Sequence, residues 1–168
     1  VSGVVVPAFI TRRLHAALMR RVAERRPPDF IIGGAEDPYL RRWWVVPRNK
    51  WFNVYLHHFM RSDDDRALHD HPWVNMSVLL EGDYVEHVPD GTWKYRDAGA
   101  VVLRLPSAAH RVELHEGHIT GKPKPVWTLF ITGPRVREWG FLCPKGWRHW
   151  RDFTAGTNGE RVGRGCDD

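Results

Sequence analysis

The chain has 168 residues, of which 42% are hydrophobic and 27% charged, with a formal net charge of +5. That length suffices for one domain with a real core and no staples, and no apolar run approaches the roughly 18 to 20 residues that a membrane span requires. Val4-Val5-Val6 is too short for the core of a secretory signal and precedes Arg12, Arg13, Arg20 and Arg21 rather than following them, so a soluble, cytoplasmic protein is expected.

In chain order, Phe9, Ile10, Leu14, Leu18, Val22 and Ala23 recur at spacings of three to four with arginines between them. This pattern predicts an amphipathic helix over 7–25, opened near Pro7 and stopped before Pro27-Pro28, whose apolar stripe docks on its own domain or on a partner subunit. After the turn-like stretch from Gly33 to Pro38, strands take over. Residues 1–38 are therefore read as helix and connector, 39–154 as a β domain and 155–168 as a disordered tail rich in Gly, Arg and Asp.

Within the β domain, Arg42 to Val46 and Trp51 to Met60 are rich in aromatic and β-branched residues and flank the turn-prone Pro47 to Lys50. Alternation sends His57 and His58 to opposite faces, so one of them can face a site. The acidic stretch Ser62 to Asp65 lacks the alternation and distal Glu of a calcium loop and reads as a solvated loop. Strands follow at Val74–Leu80, Tyr84–Val88, Thr92–Tyr95, Ala100–Leu105, Arg111–Leu114, Val126–Thr132 and Val136–Cys143, separated by short Gly, Pro and Asp turns. With only two cysteines, Cys143 in a strand and Cys166 in the tail, no disulfide framework is expected, and Cys143 reads as a small core residue.

Turns at intervals of about 8 to 12 residues indicate a β-sandwich or barrel. On such a scaffold His69 and His71, two apart on one strand, share a face and make half of a metal site. His110, at the end of another strand-like run, supplies a third ligand. Neutral imidazoles suit Fe(II), Zn(II), Mn(II), Ni(II) or Cu(II). Asp70 falls on the opposite face by parity.

At these positions the sequence resembles the cupin superfamily. The family's first motif runs His-x-His, three or four residues, Glu, six residues, Gly; here it reads His69-x-His71, three residues, Asn75, six residues, Gly82. The spacing agrees, while an amide replaces the carboxylate and Asp63 stands where the family has an earlier Gly. Gly99 and His110 keep the separation of the second motif, with Pro106 one place late and Ala108 for its second Gly. The resemblance spans roughly residues 39 to 143. It implies an all-β, double-stranded β-helix (cupin jelly roll) carrying the N-terminal amphipathic helix outside the shared core.

The resemblance also implies a divalent metal ion on His69, His71 and His110, Fe(II) first, with Zn, Mn or Ni as alternatives, and Asn75 beside the ion without being an essential ligand. Loss of the carboxylate brings the pattern nearest to cupins with three-His iron sites, such as those resembling thiol dioxygenases. The expected activity is a non-haem Fe(II) oxygenase acting on a small, anionic substrate. An isomerase, epimerase or lyase of a sugar or nucleotide, metal-dependent or metal-free, and a non-catalytic cupin binding a small ligand or nucleic acid stand as alternatives. His57, Tyr55 and Asn75 are the candidate catalytic groups beside the metal. Twenty of the twenty-five basic residues are arginine, whose planar fork suits carboxylate and phosphate; Arg104, Arg111, Arg135 and Arg137, with Trp73, Trp127 and Trp139, are the candidate substrate anchors. The tryptophan clusters and the helix admit a homodimer.

Overall fold

The computed structural model describes residues 4–63, 67–117, 121–157 and 160–167. Helix α1, Ala8–Leu18, runs directly into a π-helical turn, Met19–Ala23, within the span the apolar spacing predicts. Among the described residues the strands are β1 (Phe30–Ile32), β2 (Leu40–Trp44), β3 (Asn53–Phe59), β4 (Leu68–His69), β5 (Asn75–Glu81), β6 (Asp83–His87), β7 (Trp93–Asp97), β8 (Val101–Arg104), β9 (Arg111–Leu114), β10 (Val126–Thr132), β11 (Gly140–Cys143) and β12 (Gly146–His149). A single-turn helix, α2 (Trp150–Phe153), follows β12.

Every strand pairing is antiparallel. The strands form a six-stranded sheet in the order β1-β2-β3-β10-β5-β8, a three-stranded sheet β12-β11-β4 and a three-stranded sheet β7-β6-β9. This is the double-stranded β-helix architecture expected from the sequence. β10 shows how alternation divides the molecule. Val126, Thr128, Phe130 and Thr132 are buried on one side, while Trp127, Leu129 and Ile131 point to the other.

The outward side of the six-stranded sheet is covered by α1, where Leu18 and Val22 join Trp43, Leu56, Val78 and Leu80 in one buried cluster. A second cluster, Leu79, Tyr84, Ala100, Val112, Leu114 and Val126, fills one end of the interior between the sheets. Gly82, between β5 and β6, has φ +86°, and a Cβ there would stand 2.9 Å from Val126 Cγ2. Gly99 has φ +102°, and its Cβ would stand 2.5 Å from the Val6 carbonyl oxygen. Both spacing-matched glycines thus combine a left-handed conformation with close packing. Val6 N–H donates to Gly99 O at 2.8 Å and Val101 N–H to Val4 O at 3.0 Å, laying the N-terminal residues along the start of β8.

Three expectations are corrected. The strand predicted over 136–143 is paired only from Gly140, because Val136 N–H donates to Pro72 O in a loop. Cys143 is not a free core thiol; it forms a disulfide with Cys166. The tail expected to be disordered is, over residues 160–167, folded back on the domain: Gly33 N–H donates to Glu160 O, Ala155 and Arg161 exchange backbone bonds, and Arg148 Nη1 donates to the carbonyls of Gly165 and Asp167. Composition alone hid this, because the tail is fixed by backbone bonds and one covalent link rather than by apolar periodicity.

Candidate metal centre and its cavity

β4 is only two residues long, yet it sets the site. His69 exchanges both backbone hydrogen bonds with His110, at 2.9 Å each, so the histidines of the two motifs lie directly opposite one another. His71 follows on the chain leaving β4, where its N–H donates to Pro106 O at 3.1 Å. The ligand nitrogens of His69, His71 and His110 all lie within 4.8 Å of one another. His71 Nε2 and His110 Nε2 are 3.0 Å apart. That is the separation two nitrogens adopt when each is about 2.0–2.1 Å from one ion and the two are at right angles. The donor set therefore fits a divalent transition metal.

Burial keeps the rings of His71 and His110 neutral, as ligation requires. It pushes His71 well below the ordinary imidazole value of 6.5, and the charges of His69, His110, Arg104 and Arg42 act in the same direction. Burial and the Arg104 charge push His110 down to about 3, against the opposing pull of Glu86. Glu86 Oε1 lies 3.3 Å from His110 Nδ1, on the side of the ring away from His71. Burial by itself would raise Glu86, but the contact with His110 and the positive charge of Arg104 outweigh it and hold the carboxyl well below its usual range. Glu86 is tied to Arg104 through Oε1 and to Arg96 through Oε2. Asp63, expected in a solvated loop, is instead buried: its Oδ2 accepts from Val112 N–H at 2.8 Å and lies 3.8 Å from His69 Nδ1. Asp64 and Asp65 lie outside the described residues.

The three histidines open onto a cavity of about 590 Å³ whose wall includes Arg42, Tyr55, His57, Trp73, Ser77, Arg104, Phe130 and Trp139. Strand parity thus places Trp73 and Ser77 on the side expected for them. Asn75, between them in the alternation, is 1% exposed, and neither its amide nitrogen nor its oxygen has a partner among the described residues. Across β10 its register neighbour is Thr132, whose hydroxyl is also unpartnered. Asp70 faces away, as parity requires, accepting from Gly140 N–H at 2.7 Å and from Trp147 Nε1. His57 is the inward member of its pair, 3% exposed, and Phe130 stacks on it at 4.9 Å. His58 is on the outer face, stacked on Trp127 at 3.9 Å.

Several predicted anchors are elsewhere. Trp127 packs under α1 with His15 and Trp43, so it is a packing residue of the outer face and not a cavity wall. Arg135 is exposed and paired with Glu138. Arg137 is bonded to Asp70 and to Pro106 O and lies over Trp147, which makes it a clamp between loops. Arg111 pairs with Glu113 on the surface. Arg104 does reach the cavity, but its guanidinium is bonded to Glu86, which it shares with Arg96. Two lining or supporting groups escaped sequence reading, Glu86 and Arg42. Alternation could have found both, since Arg42 shares parity with the cavity-lining Trp44, and Glu86 with the buried Tyr84.

No family model matches the chain, and none of the curated proteins is similar to it in sequence. Solved structures share its fold. The DMSP lyase DddQ from Ruegeria pomeroyi matches with a TM-score of 0.51 at 12% identity, over 87% of this chain and 74% of that one. An uncharacterized protein with a double-stranded β-helix domain from Klebsiella pneumoniae matches with a TM-score of 0.49 at 16% identity, over 66% of this chain and 90% of the other. An RmlC-like cupin protein from Ralstonia eutropha gives 0.47 at 14% identity, over 73% and 74%.

Proposed function

We propose, from a cupin double-stranded β-helix with three imidazoles converging in its cavity, that this protein is a metal-dependent enzyme acting on a small molecule and that the centre is a non-haem Fe(II) site of the oxygenase kind. One observation carries the reading: the converging ligand atoms are all imidazole nitrogens, while the buried carboxylates Glu86, 3.3 Å from His110 Nδ1, and Asp63, 3.8 Å from His69 Nδ1, flank the group without belonging to it. When bound, the ion supplies oxygen activation and a Lewis-acidic position at the cavity floor.

The chain's own residues hold and shield that position. The Glu86 carboxylate, 3.3 Å from His110 Nδ1, attracts that edge of the ring by charge and leaves Nε2 toward His71. Tyr55, Trp73, Phe130 and Trp139 give the cavity apolar walls that keep water from the reacting groups. Tyr55 and His57 are assigned positioning roles, since His57 already accepts a hydrogen bond through Nε2. Asn75 is assigned a supporting role through its buried, unpartnered amide.

Protein purified without added metal is expected to carry close to one equivalent of iron by elemental analysis, and His71→Ala and His110→Ala each to lose it. Absence of any stoichiometric divalent metal, with stability unchanged by a chelator, would sink the reading. DddQ is a lyase on the same fold, which favours isomerisation or elimination on a Zn, Mn or Ni centre as the second reading. Turnover that persists without oxygen would select it over the oxygenase.

A further inference from the structure

Four arginines line the cavity, and of these Arg48 and Arg161 are exposed while Arg42 and Arg104 are not; among the less exposed arginines Arg42 is set apart by its partner. Arg104 has Glu86, as does Arg96, and the loop arginine Arg137 has Asp70. Arg42 has an imidazole: its Nε donates to His57 Nε2 at 2.8 Å. An imidazole that accepts through Nε2 carries its proton on Nδ1 and is neutral. It can aim a guanidinium but cannot balance its charge. No carboxylate among the described residues pairs with Arg42.

Three acids line the cavity, Asp29, Asp63 and Glu160, and none of them pairs with Arg42. Asp29 holds Arg26 and the Trp44 N–H, and Asp63 holds the Val112 N–H. The guanidinium instead lies over the Tyr55 ring, 5.0 Å from its centroid, with Phe30 at 6.0 Å. Burial lowers the pKa of Arg42, while Tyr55 and Tyr39 act to raise it and Arg48 opposes them. Holding a cation in such surroundings is costly unless an anion joins it.

Arg42 also belongs to the same space as the metal centre. Phe130 bridges the two, with its ring 4.9 Å from His57 and 5.8 Å from His71, and the charge of Arg42 is felt at His71. With Nε spent on His57, both Nη groups remain for a ligand, and this paired fork matches the two oxygens of a carboxylate.

Resting on the metal-centre reading, we infer that Arg42, aimed by His57, is the anion-recognition group of the cavity, and that the substrate is a small carboxylate whose far end reaches His69, His71 and His110. This replaces Arg104, Arg135 and Arg137 as the anchor.

The test uses the full chain, metal-free and metal-loaded, titrated at fixed ionic strength with malonate, benzoate and inorganic phosphate, with binding read by calorimetry and thermal shift. Saturable binding of a carboxylate by the wild type is expected, weakened at least tenfold by Arg42→Gln and unchanged by the surface control Arg135→Gln. Arg42→Lys, which keeps the charge and loses the fork, is expected to weaken binding by a smaller factor and guards against misfolding of the glutamine variant. Equal binding by wild type, R42K and R42Q, or no saturable binding of any probe, overturns the inference. Binding of phosphate with no carboxylate bound overturns the substrate class. Metal content is measured on the same samples. Arg42-dependent binding in protein that never loads metal upholds the anion site while the metal reading fails, and metal loading without it does the reverse.

Discussion

Glu86 holds Arg96 on one carboxylate oxygen and Arg104 on the other, with His110 Nδ1 at 3.3 Å, all at 3% exposure of its side chain. Glu86→Gln would leave the buried Arg104 and the half-buried Arg96 without their shared counter-charge, and removal of one member of a buried pair costs about 3–5 kcal/mol. The same change loosens the orientation of His110, which lowers metal affinity by about 10–100-fold. Urea denaturation and metal titration of the variant check the two effects separately; unchanged metal affinity would show that Glu86 serves the arginines alone. At this scale the three histidines were legible because ligand spacing is a local property of one strand and one loop. For Glu86 and Arg42 alternation gives the face but not the role, since each matters through a partner on a different strand. In Arg41-Arg42-Trp43-Trp44 the composition looks uniform, yet alternation puts Trp43 under the helix and Arg42 in the cavity.

At the scale of elements, α1 is held by the side chains on its inner stripe. Leu18 is 8% exposed and packs in the cluster with Trp43 and Leu56. Leu18→Ala is expected to cost about 2–5 kcal/mol, seen as a lower Tm with the metal content of the folded protein unchanged. A fall in metal content instead would mean that the helix supports the centre through the sheet. The strands over 111–114 and 126–132 were readable to the residue, because both carry strong apolar alternation between clear breakers. β1 and β12 were missed, being three and four residues long and defined by their partners; the strand read through His69 and His71 is present but ends at His69. The tail is the other omission: its link from Cys166 to Cys143 closes a 23-residue separation, and loss of such a cross-link costs about 3 kcal/mol. Cys166→Ser should lower the unfolding midpoint accordingly. Because Glu160 to Gly163 line the cavity mouth, it should also increase ligand exchange there.

For the whole molecule, the buried neutral histidines fix the response to acid. His57 and His71 are held well below 6.5 by burial, and His110 down to about 3. Below pH 6.5 the unfolded chain takes up protons that the folded chain refuses, so stability is full well above that value and falls as the pH drops. Each such histidine adds a slope of about 1.4 kcal/mol per pH unit. Glu86, whose carboxyl is held below its usual range, adds loss in the same direction once the pH falls below its ordinary 4.5. Urea midpoints of the metal-free protein at pH 7.5, 6.5 and 5.5 should fall slightly over the first interval and about three times as far over the second. A flat profile to pH 5.5 would contradict the burial of these rings.

The backbone bonds of Val4 and Val6 to Val101 and Gly99 have a consequence for the molecule in company. β8 is the outer strand of the six-stranded sheet, and its Leu103 is 69% exposed. A bare outer strand offers unpaired backbone groups to any other chain. By occupying the first part of β8, the N-terminal residues act as a guard against strand-to-strand association, and the close approach of Val6 to Gly99 leaves no room for a side chain that would push the guard away. Removal of residues 1–7, or Gly99→Val, should therefore show itself first in light scattering, as concentration-dependent growth of particles at temperatures where the metal centre is still intact.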